Sequence, residues 1–196
     1  MQFVKKKQNI KKLYYNGIFE VMSEEKNKIE NLYRYAKRNI DTIIIHCTAS
    51  KEGVDMTVEH IDKLHKSFGW KCIGYHFVIY RDGSIHDGRD IGVTGAHAGS
   101  PWNTGSVGIV YVGGLDAQTG KPKDTRTPEQ KEALYKLVKQ LIEIYPIKRV
   151  IGHRDVSPDA NYNGIIEPHE WIKACPCFEV KDWMKETGLD LLLKQQ

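Results

Sequence analysis

The sequence predicts an α/β fold of the mixed α+β kind, with a central mixed β-sheet flanked by helices. Short apolar runs rich in β-branched residues, at 41–47 and 107–112, are typical of buried strands. Amphipathic helical patterns alternate with these runs, and a hairpin signal at 74–90 interrupts the alternation, which favours a mixed sheet. With 196 residues, 40% of them hydrophobic, the chain can bury the core of one ordinary domain.

Residues 1–38 are predicted to form a basic N-terminal extension, partly helical, ahead of a domain at 39–196. The extension carries ten Lys and Arg residues against four Asp and Glu residues, a local charge of +6. Its apolar side chains recur at helical spacing, at Ile29, Leu32, Tyr33 and Ala36. Two interpretations stay open, namely a solvated tail or an arm that contacts anionic polymers such as nucleic acid or cell-wall phosphates.

The first strand and the first helix of the domain have clear signals. The run DTIIIHC at 41–47 predicts a buried central strand, with His46 near its C-terminal end. A helix is predicted at 57–68, because Thr57 suits an N-cap and Gly69 suits the C-terminal end. The apolar face of this helix consists of Ile61, Leu64 and Phe68.

A hairpin, a loop and a second buried strand follow. Alternating side chains at 74–90 surround an Asp82-Gly83 turn signal and predict a β-hairpin. Residues 95–106 are rich in glycine and polar side chains without periodicity, as in many binding loops. The strand at 107–112 comes next.

The clearest helix begins at 127–130, where the sequence TPEQ supplies an N-cap threonine, a proline at the first helical position and a capping-box glutamine. Its apolar stripe consists of Leu134, Leu137, Val138, Leu141 and Ile142. A short strand at 150–151 leads into His153, and a last helix is predicted at 179–187, before Gly188.

The composition argues against several protein classes. No apolar run approaches the roughly 20 residues of a membrane span, so no membrane insertion is expected. The basic N-terminus lacks a following apolar segment, so no signal peptide is recognised and synthesis in the cytoplasm is expected. Four cysteines in a chain of this length do not indicate a disulfide framework.

Side chains that bind metals occur at dispersed positions. His46 and His153 lie at the ends of predicted strands, and Cys175 lies in the proline-flanked segment KACPCF. Two imidazoles and one thiolate, with a fourth position for water, would suit a catalytic zinc site. The spacing alone leaves two interpretations open: a zinc site, or residues that only occupy core and surface positions.

Six motifs occur in one order along the chain: IIIHCTAS, GYHFVIYRDGSIHDGRD, GAHAG, SVGIVYVGG, GHRD and KACPCF. Together they resemble the zinc-dependent N-acetylmuramoyl-L-alanine amidases of the phage lysozyme and peptidoglycan-recognition-protein superfamily. The similarity runs from about residue 40 to residue 185. It implies the mixed sheet that the patterns predict, and it makes 39–196 an amidase catalytic domain.

The resemblance implies roles for particular residues. The zinc ligands would be His46, His153 and Cys175. Tyr75 and Lys173 would be the catalytic side chains, as donors to the scissile carbonyl oxygen or as proton carriers. From the residues alone, Tyr75 also suits plain strand packing and Lys173 a solvated side chain.

Two further residues are expected to bind substrate. The resemblance places His97, in the motif GAHAG, on the substrate groove, and Asn103 in the same loop is expected there too. From the residues alone, His97 also suits an ordinary loop position. The stem-peptide preference is open.

An insertion at 157–171 has the spacing of a calcium loop, D-x-[DN]-x-[DN]-G-x5-E, with Gly164 at the sharp turn. The expected oxygen ligands are Asp159, Asn161, Asn163, Ile165 and Glu170. A polar, turn-rich insertion that binds no metal is the alternative. Bound calcium would order the segment that carries Lys173 and Cys175.

The predicted function is zinc-dependent hydrolysis of the amide bond between N-acetylmuramic acid and L-alanine in peptidoglycan. An endolysin or autolysin-like enzyme would act in this way on the cell wall after release. The expected partner is a muramyl peptide, the cofactors are zinc and, through the insertion, calcium, and a monomer is expected. A non-catalytic peptidoglycan-binding module is the competing interpretation. Nucleic-acid binding is not expected, because no aromatic-interleaved basic motif accompanies the extension.

Overall fold

A computed structural model describes residues 38–195, so the predicted extension lies outside the described residues apart from Arg38. The described strands are β1 (Thr42–Cys47), β2 (Ser50–Lys51), β3 (Phe77–Ile79), β4 (Ile85–Asp87), β5 (Ser106–Tyr111), β6 (Gly114–Leu115) and β7 (Arg149–Gly152). The described α-helices are α1 (Val58–Ser67), α2 (Pro128–Ile144), α3 (Val180–Glu186) and α4 (Leu189–Leu193).

The central sheet has five strands in the order β4-β3-β5-β1-β7. β1 pairs in parallel with β5 and with β7, and β3 pairs in parallel with β5. β4 is antiparallel to β3, because the two strands form the predicted hairpin around Asp82 and Gly83. The predicted mixed sheet with flanking helices is therefore confirmed.

The interior strands are built from the β-branched runs that predicted them. All six residues of β1 are buried, and so are all six residues of β5. Strands buried on both faces can be apolar throughout, since no side of them meets water. β3 is shorter than the alternation at 74–90 suggested, so Tyr75 and His76 lie just before it rather than within it.

The helices begin at their predicted caps. The Thr57 hydroxyl accepts a hydrogen bond from the His60 amide at the start of α1, and Thr127 accepts one from the Gln130 amide at the start of α2. The whole predicted stripe of α2 is buried. The insertion contains a short 3₁₀ turn at Pro168–Glu170. Among the described residues, no helix combines the length and apolar character needed to cross a membrane.

Strand register places the two motif histidines side by side. Ile45 of β1 is paired with Gly152 of β7, so the residues that follow them, His46 in β1 and His153 just after β7, are neighbours at the carboxyl end of this strand pair. His46 is paired with Val110, and β-strand alternation turns both side chains to one face. Ile61 of α1 packs against Val110 on that face, so His46 lies on the α1 side of the sheet.

Candidate metal centre

The side chains of His46, His153 and Cys175 meet beyond the carboxyl ends of β1 and β7. One ligand atom from each of the three lies within 4.8 Å of the other two. Cys175 Sγ is 3.9 Å from His46 Nδ1, and the ring centroids of His46 and His153 are 4.5 Å apart. The structure thus brings together three residues that the sequence keeps far apart.

Backbone hydrogen bonds hold Cys175 in this position. The Arg154 amide donates to the Cys175 carbonyl oxygen at 2.7 Å, which ties the cysteine to the turn that carries His153. The Cys47 amide donates to Cys175 Sγ at 3.2 Å. These two bonds fix the position of a sulfur atom of the kind that binds metals as a thiolate.

The segment after Cys175 packs closely on the sheet. The Tyr111 hydroxyl, at the end of β5, donates to the Pro176 carbonyl oxygen at 2.7 Å. A Cβ atom on Gly152 would lie only 2.6 Å from Pro176 Cδ, so this approach needs glycine at the end of β7. The close packing of Pro176 therefore explains the glycine in the motif GHRD.

Burial keeps the histidines neutral. It lowers the pKa of His46 well below its usual value, and it lowers the pKa of His153 to about 4, with the charge of Lys173 adding to both effects. Neutral imidazoles each retain a nitrogen lone pair at neutral pH, as a metal ligand must. Burial likewise raises the pKa of Tyr75, whose ring centroid is 5.1 Å from that of His46. Tyr75 therefore remains a phenol that can donate a hydrogen bond.

A groove of about 520 Å³ opens beside His153. Its lining includes three other predicted site residues, His97, Asn103 and Lys173, and the apolar side chains of Trp70 and Ile172. A second cavity, of about 530 Å³, lies at the opposite end of β1 beside Asp41 and Thr42, and it contains none of the predicted site residues. We therefore assign the chemistry to the groove at His153.

His97 and Asn103 lie in the wall of this groove. Asn103 Oδ1 accepts hydrogen bonds from the backbone amides of His97 and Ala98, both at 2.9 Å. His97 is 7% exposed, and its Nδ1 is 3.0 Å from His46 Nε2. Sequence reasoning did not identify the last member of this group, Ser106, whose hydroxyl is 3.4 Å from His97 Nε2.

The insertion forms an exposed loop around the carboxylate of Asp159. That carboxylate accepts hydrogen bonds from the amides of Asn163 and Gly164, at 3.2 and 2.7 Å. Glu170 accepts from the Ala160 amide at 2.8 Å, and Asn163 Oδ1 accepts from the Ile165 amide at 2.8 Å. The remaining candidate ligand, Asn161, is also exposed, and its Oδ1 accepts from the Asn163 amide. These oxygens thus face the loop backbone. A second group of possible metal ligands, which shares Glu170 with the first, consists of Glu167, His169 and Glu170, and of these only His169 is exposed.

Comparison with known proteins identifies the family. Residues 36–170 match the family described as N-acetylmuramoyl-L-alanine amidase. The chain belongs to this family. The match includes His46, Tyr75, His97 and His153 and ends before Lys173 and Cys175. The amidase is also 37% identical over 152 residues to an endolysin of Enterobacteria phage K11, which covers 78% of this chain and 89% of the phage protein.

Other relatives agree with this assignment. An endolysin of Escherichia phage T7 is 35% identical over 153 residues, covering 78% of this chain and 91% of the phage protein. Among solved structures, the endolysin N-acetylmuramoyl-L-alanine amidase LysCS from Clostridium intestinale superimposes with a TM-score of 0.59 at 27% identity, over 77% of this chain and 85% of that one. The amidase therefore hydrolyses the bond that its family name describes, between N-acetylmuramic acid and L-alanine, and its partner is peptidoglycan.

Proposed function

We propose that the amidase is a zinc enzyme whose metal is held by His46, His153 and Cys175. The observation that carries this proposal is the meeting of their three ligand atoms within 4.8 Å, beside a groove of about 520 Å³ that His153 lines. Three protein ligands with one open position are the pattern of catalytic zinc sites, whereas structural sites use four.

The chemistry of the donor set fits zinc. Two neutral imidazoles and one sulfur atom that receives an N–H hydrogen bond are borderline to soft ligands, which suit zinc better than magnesium or calcium. Bound zinc would supply Lewis-acid activation of water and of the amide carbonyl group. The thiolate cancels only part of the metal charge, so the centre would keep a net positive charge.

Tyr75 and Lys173 are the proposed catalytic side chains. Hydrolysis of an amide builds negative charge on the carbonyl oxygen, and fixed donors near that oxygen stabilise the transition state. The neutral Tyr75 phenol lies against His46, and the exposed Lys173 ammonium group borders the groove. We assign both to this oxygen, with Lys173 also able to move a proton to or from the reacting groups.

The walls of the groove suit the substrate in different ways. His97 and Asn103 stand on one side as the proposed substrate-groove residues. Trp70 is 40% exposed and Ile172 is 72% exposed, so both can cover apolar parts of a muramyl peptide, such as its methyl groups. The side chain of Asn103 retains its amide NH₂ group as a donor, because its oxygen already binds the loop backbone.

Calcium binding by the insertion is a second proposal. The loop already curls around Asp159, and Gly164 has a φ of 82° at the sharp turn, as such a loop requires. Calcium would be held by oxygens of Asp159, Asn161, Asn163, Ile165 and Glu170. The expected effect is order in the segment that leads to Lys173.

The proposed setting is lysis of a bacterial cell wall by a monomer. The phage K11 and T7 relatives are endolysins, which supports synthesis in the cytoplasm and action on the wall after release. A non-catalytic peptidoglycan-binding module is the competing possibility, but such a module has no need of a complete ligand set beside Tyr75 and Lys173. We propose no role in nucleic-acid binding.

Two cysteines two residues apart provide a matched test of the zinc site. Cys175→Ser should lose zinc, measured by metal analysis of the purified protein, and should lose lysis of a cell-wall suspension, measured by turbidity. Cys177→Ser should keep both, because Cys177 Sγ contacts Cys47 Sγ at 3.7 Å and is not in the ligand group. A Cys175→Ser protein with full zinc and full lysis would contradict the ligand set.

Lys173 is tested in the same assays. Lys173→Ala should retain zinc while turnover falls by about 10²- to 10³-fold, the usual effect of removing an oxyanion donor. Lys181→Ala, at an exposed position on α3, is the control and should leave turnover unchanged. Wild-type protein that binds zinc and cell walls without lysing them would favour the non-catalytic interpretation.

A further inference from the structure

A line of buried hydrogen-bonding groups stands behind His46, on the side away from Cys175. His46 Nε2 is 3.0 Å from His97 Nδ1, and His97 Nε2 is 3.4 Å from Ser106 Oγ. Ser106 Oγ in turn donates to the Trp102 carbonyl oxygen at 2.6 Å. His46 and Ser106 are fully buried and His97 nearly so, which leaves water little access to these bonds.

The carbonyl group at the end of the line fixes the direction of every bond in it. A carbonyl oxygen only accepts, so the single hydroxyl proton of Ser106 points to Trp102. The Ser106 oxygen must then accept from His97 Nε2–H, and His97 Nδ1 is left as an acceptor. That nitrogen accepts from His46 Nε2–H, which leaves the lone pair of His46 on Nδ1, the atom 3.9 Å from Cys175 Sγ.

We propose that His97 is a positioning residue for the metal centre, which selects the tautomer of His46 that presents Nδ1 to the metal and fixes the orientation of that ring. This proposal rests on the proposed zinc site. Metal-binding histidines commonly donate their second N–H to a carboxylate, a carbonyl group or water. Here the neutral imidazole of His97 is the acceptor for the second N–H of His46.

The His97 ring is held by its surroundings as well as by its bonds. A Cβ atom on Gly95 would lie 2.5 Å from His97 Cδ2, and one on Gly108 would lie 2.6 Å from the same atom. The ring therefore occupies a slot that exists because both neighbours are glycines. The backbone amide of His97 donates a hydrogen bond to Asn103 Oδ1, which fixes the backbone at this position. A ring confined in this way can hold a ligand histidine with little freedom to rotate.

This role leaves His97 without a free nitrogen for substrate. Nδ1 is used by His46 and Nε2 by Ser106, so only ring carbon atoms can border the groove. His97 therefore shapes the groove wall while its polar atoms act on the metal ligand. Its loss should weaken metal binding, and activity should fall as a consequence.

Zinc affinity is the measurement that tests the proposal, through competition with a chromophoric chelator. His97→Phe keeps a ring but removes the acceptor, and zinc affinity should fall by about 10- to 100-fold. His97→Asn places an acceptor oxygen close to the former Nδ1 position and should recover most of that loss. Ser106→Ala removes the acceptor of His97 Nε2–H and should reduce affinity by a smaller factor.

A matched control separates this effect from general loss of stability. His65 is as buried as His97, and its Nδ1 accepts a hydrogen bond from the Gly74 amide, but it is not in the line. His65→Phe should lower the melting temperature of the metal-free protein and leave zinc affinity unchanged. If His97→Phe does not fold, the comparison of His97→Asn and Ser106→Ala with wild type remains.

The outcomes distinguish this proposal from the zinc site itself. Wild-type protein that binds no zinc, or Cys175→Ser protein that binds it as tightly as wild type, would overturn the zinc site. Tight zinc binding by wild type, loss in Cys175→Ser, and unchanged affinity in both His97→Phe and Ser106→Ala would overturn only the role of His97. Equal losses in His97→Phe and His97→Asn would also overturn it, since the acceptor would then be irrelevant.

Discussion

Replacing Gly108 by alanine should displace the His97 ring without changing any of the proposed metal ligands. Gly108 lies in β5, and its backbone is not in the left-handed region, so alanine is compatible with the strand. The added Cβ would lie 2.6 Å from His97 Cδ2 and 2.8 Å from His97 Nε2, whereas ordinary contact begins near 3.4 Å. The ring must therefore withdraw by about 0.8 Å, or the strand must move by a similar distance.

The distances give the size of the effect. The bond between His97 Nδ1 and His46 Nε2 measures 3.0 Å, so a movement of that size can stretch it beyond hydrogen-bond range. Overpacking of a well-packed interior costs about 1 to 3 kcal/mol. For a domain of this size each kcal/mol lowers the melting temperature by about 2 to 4 °C. Zinc affinity should fall by about 10-fold, because the proposed ligand His46 loses its hydrogen bond to His97.

Thermal unfolding in the presence of a chelator measures the packing cost, and zinc competition measures the loss of affinity. The same exchange in a His97→Ala background provides the internal control, because that variant has no ring to displace. Gly108→Ala should then cost much less than it does in wild type, a coupling expected of residues in contact. Equal costs in the two backgrounds would refute the idea that the glycine makes room for the ring.

Three other predictions concern separate parts of the molecule. Asp159→Ala combined with Glu170→Ala should lower the melting temperature only when calcium is present, and an equal difference with and without EGTA would reject the calcium loop. Burial lowers the pKa of His76 from 6.5 to about 4, so below pH 6.5 the unfolded chain binds a proton that the folded chain does not. The free energy of unfolding should therefore fall by about 3 kcal/mol as the pH falls from 6.5 toward 4, and the His76 ring signals in NMR should not titrate above about pH 5. Thr127→Ala removes the N-cap of α2 and should cost about 1 kcal/mol in urea unfolding, with no change in zinc affinity.

Local patterns were sufficient to predict most of the fold. The β-branched composition of β1 and β5 and the capping box of α2 each depend on neighbouring residues, and neighbouring residues are what a sequence displays directly. The turn at Asp82 and Gly83 predicted the hairpin for the same reason. The motif resemblance pointed to His46, His153 and Cys175 as a ligand set, which spacing alone left undecided, and the structure places these three residues together.

Features that depend on contacts between distant segments were not predictable in this way. The small parallel pair of β2 and β6 is only two residues long in each strand, too short to leave a periodic pattern. The helix α4 begins after Gly188 and was not predicted, because the last predicted helix ends at residue 187. The link from Ser106 through His97 to His46 joins three segments of the chain. No local signal distinguishes a serine with this role from any other serine at the start of a strand.

The pairing of Ile45 with Gly152 has a consequence for how the enzyme matures. β7 is the outermost strand on its side of the sheet. A register slip of one residue would turn the side chains of β7 to the opposite face of the sheet. On the proposed zinc site, the ion would bind only after this edge has docked in the correct register, and bound zinc would then resist fraying of the edge. Metal uptake during refolding would then occur only in molecules whose β7 has the native register. Its time course would report when β7 pairs with β1.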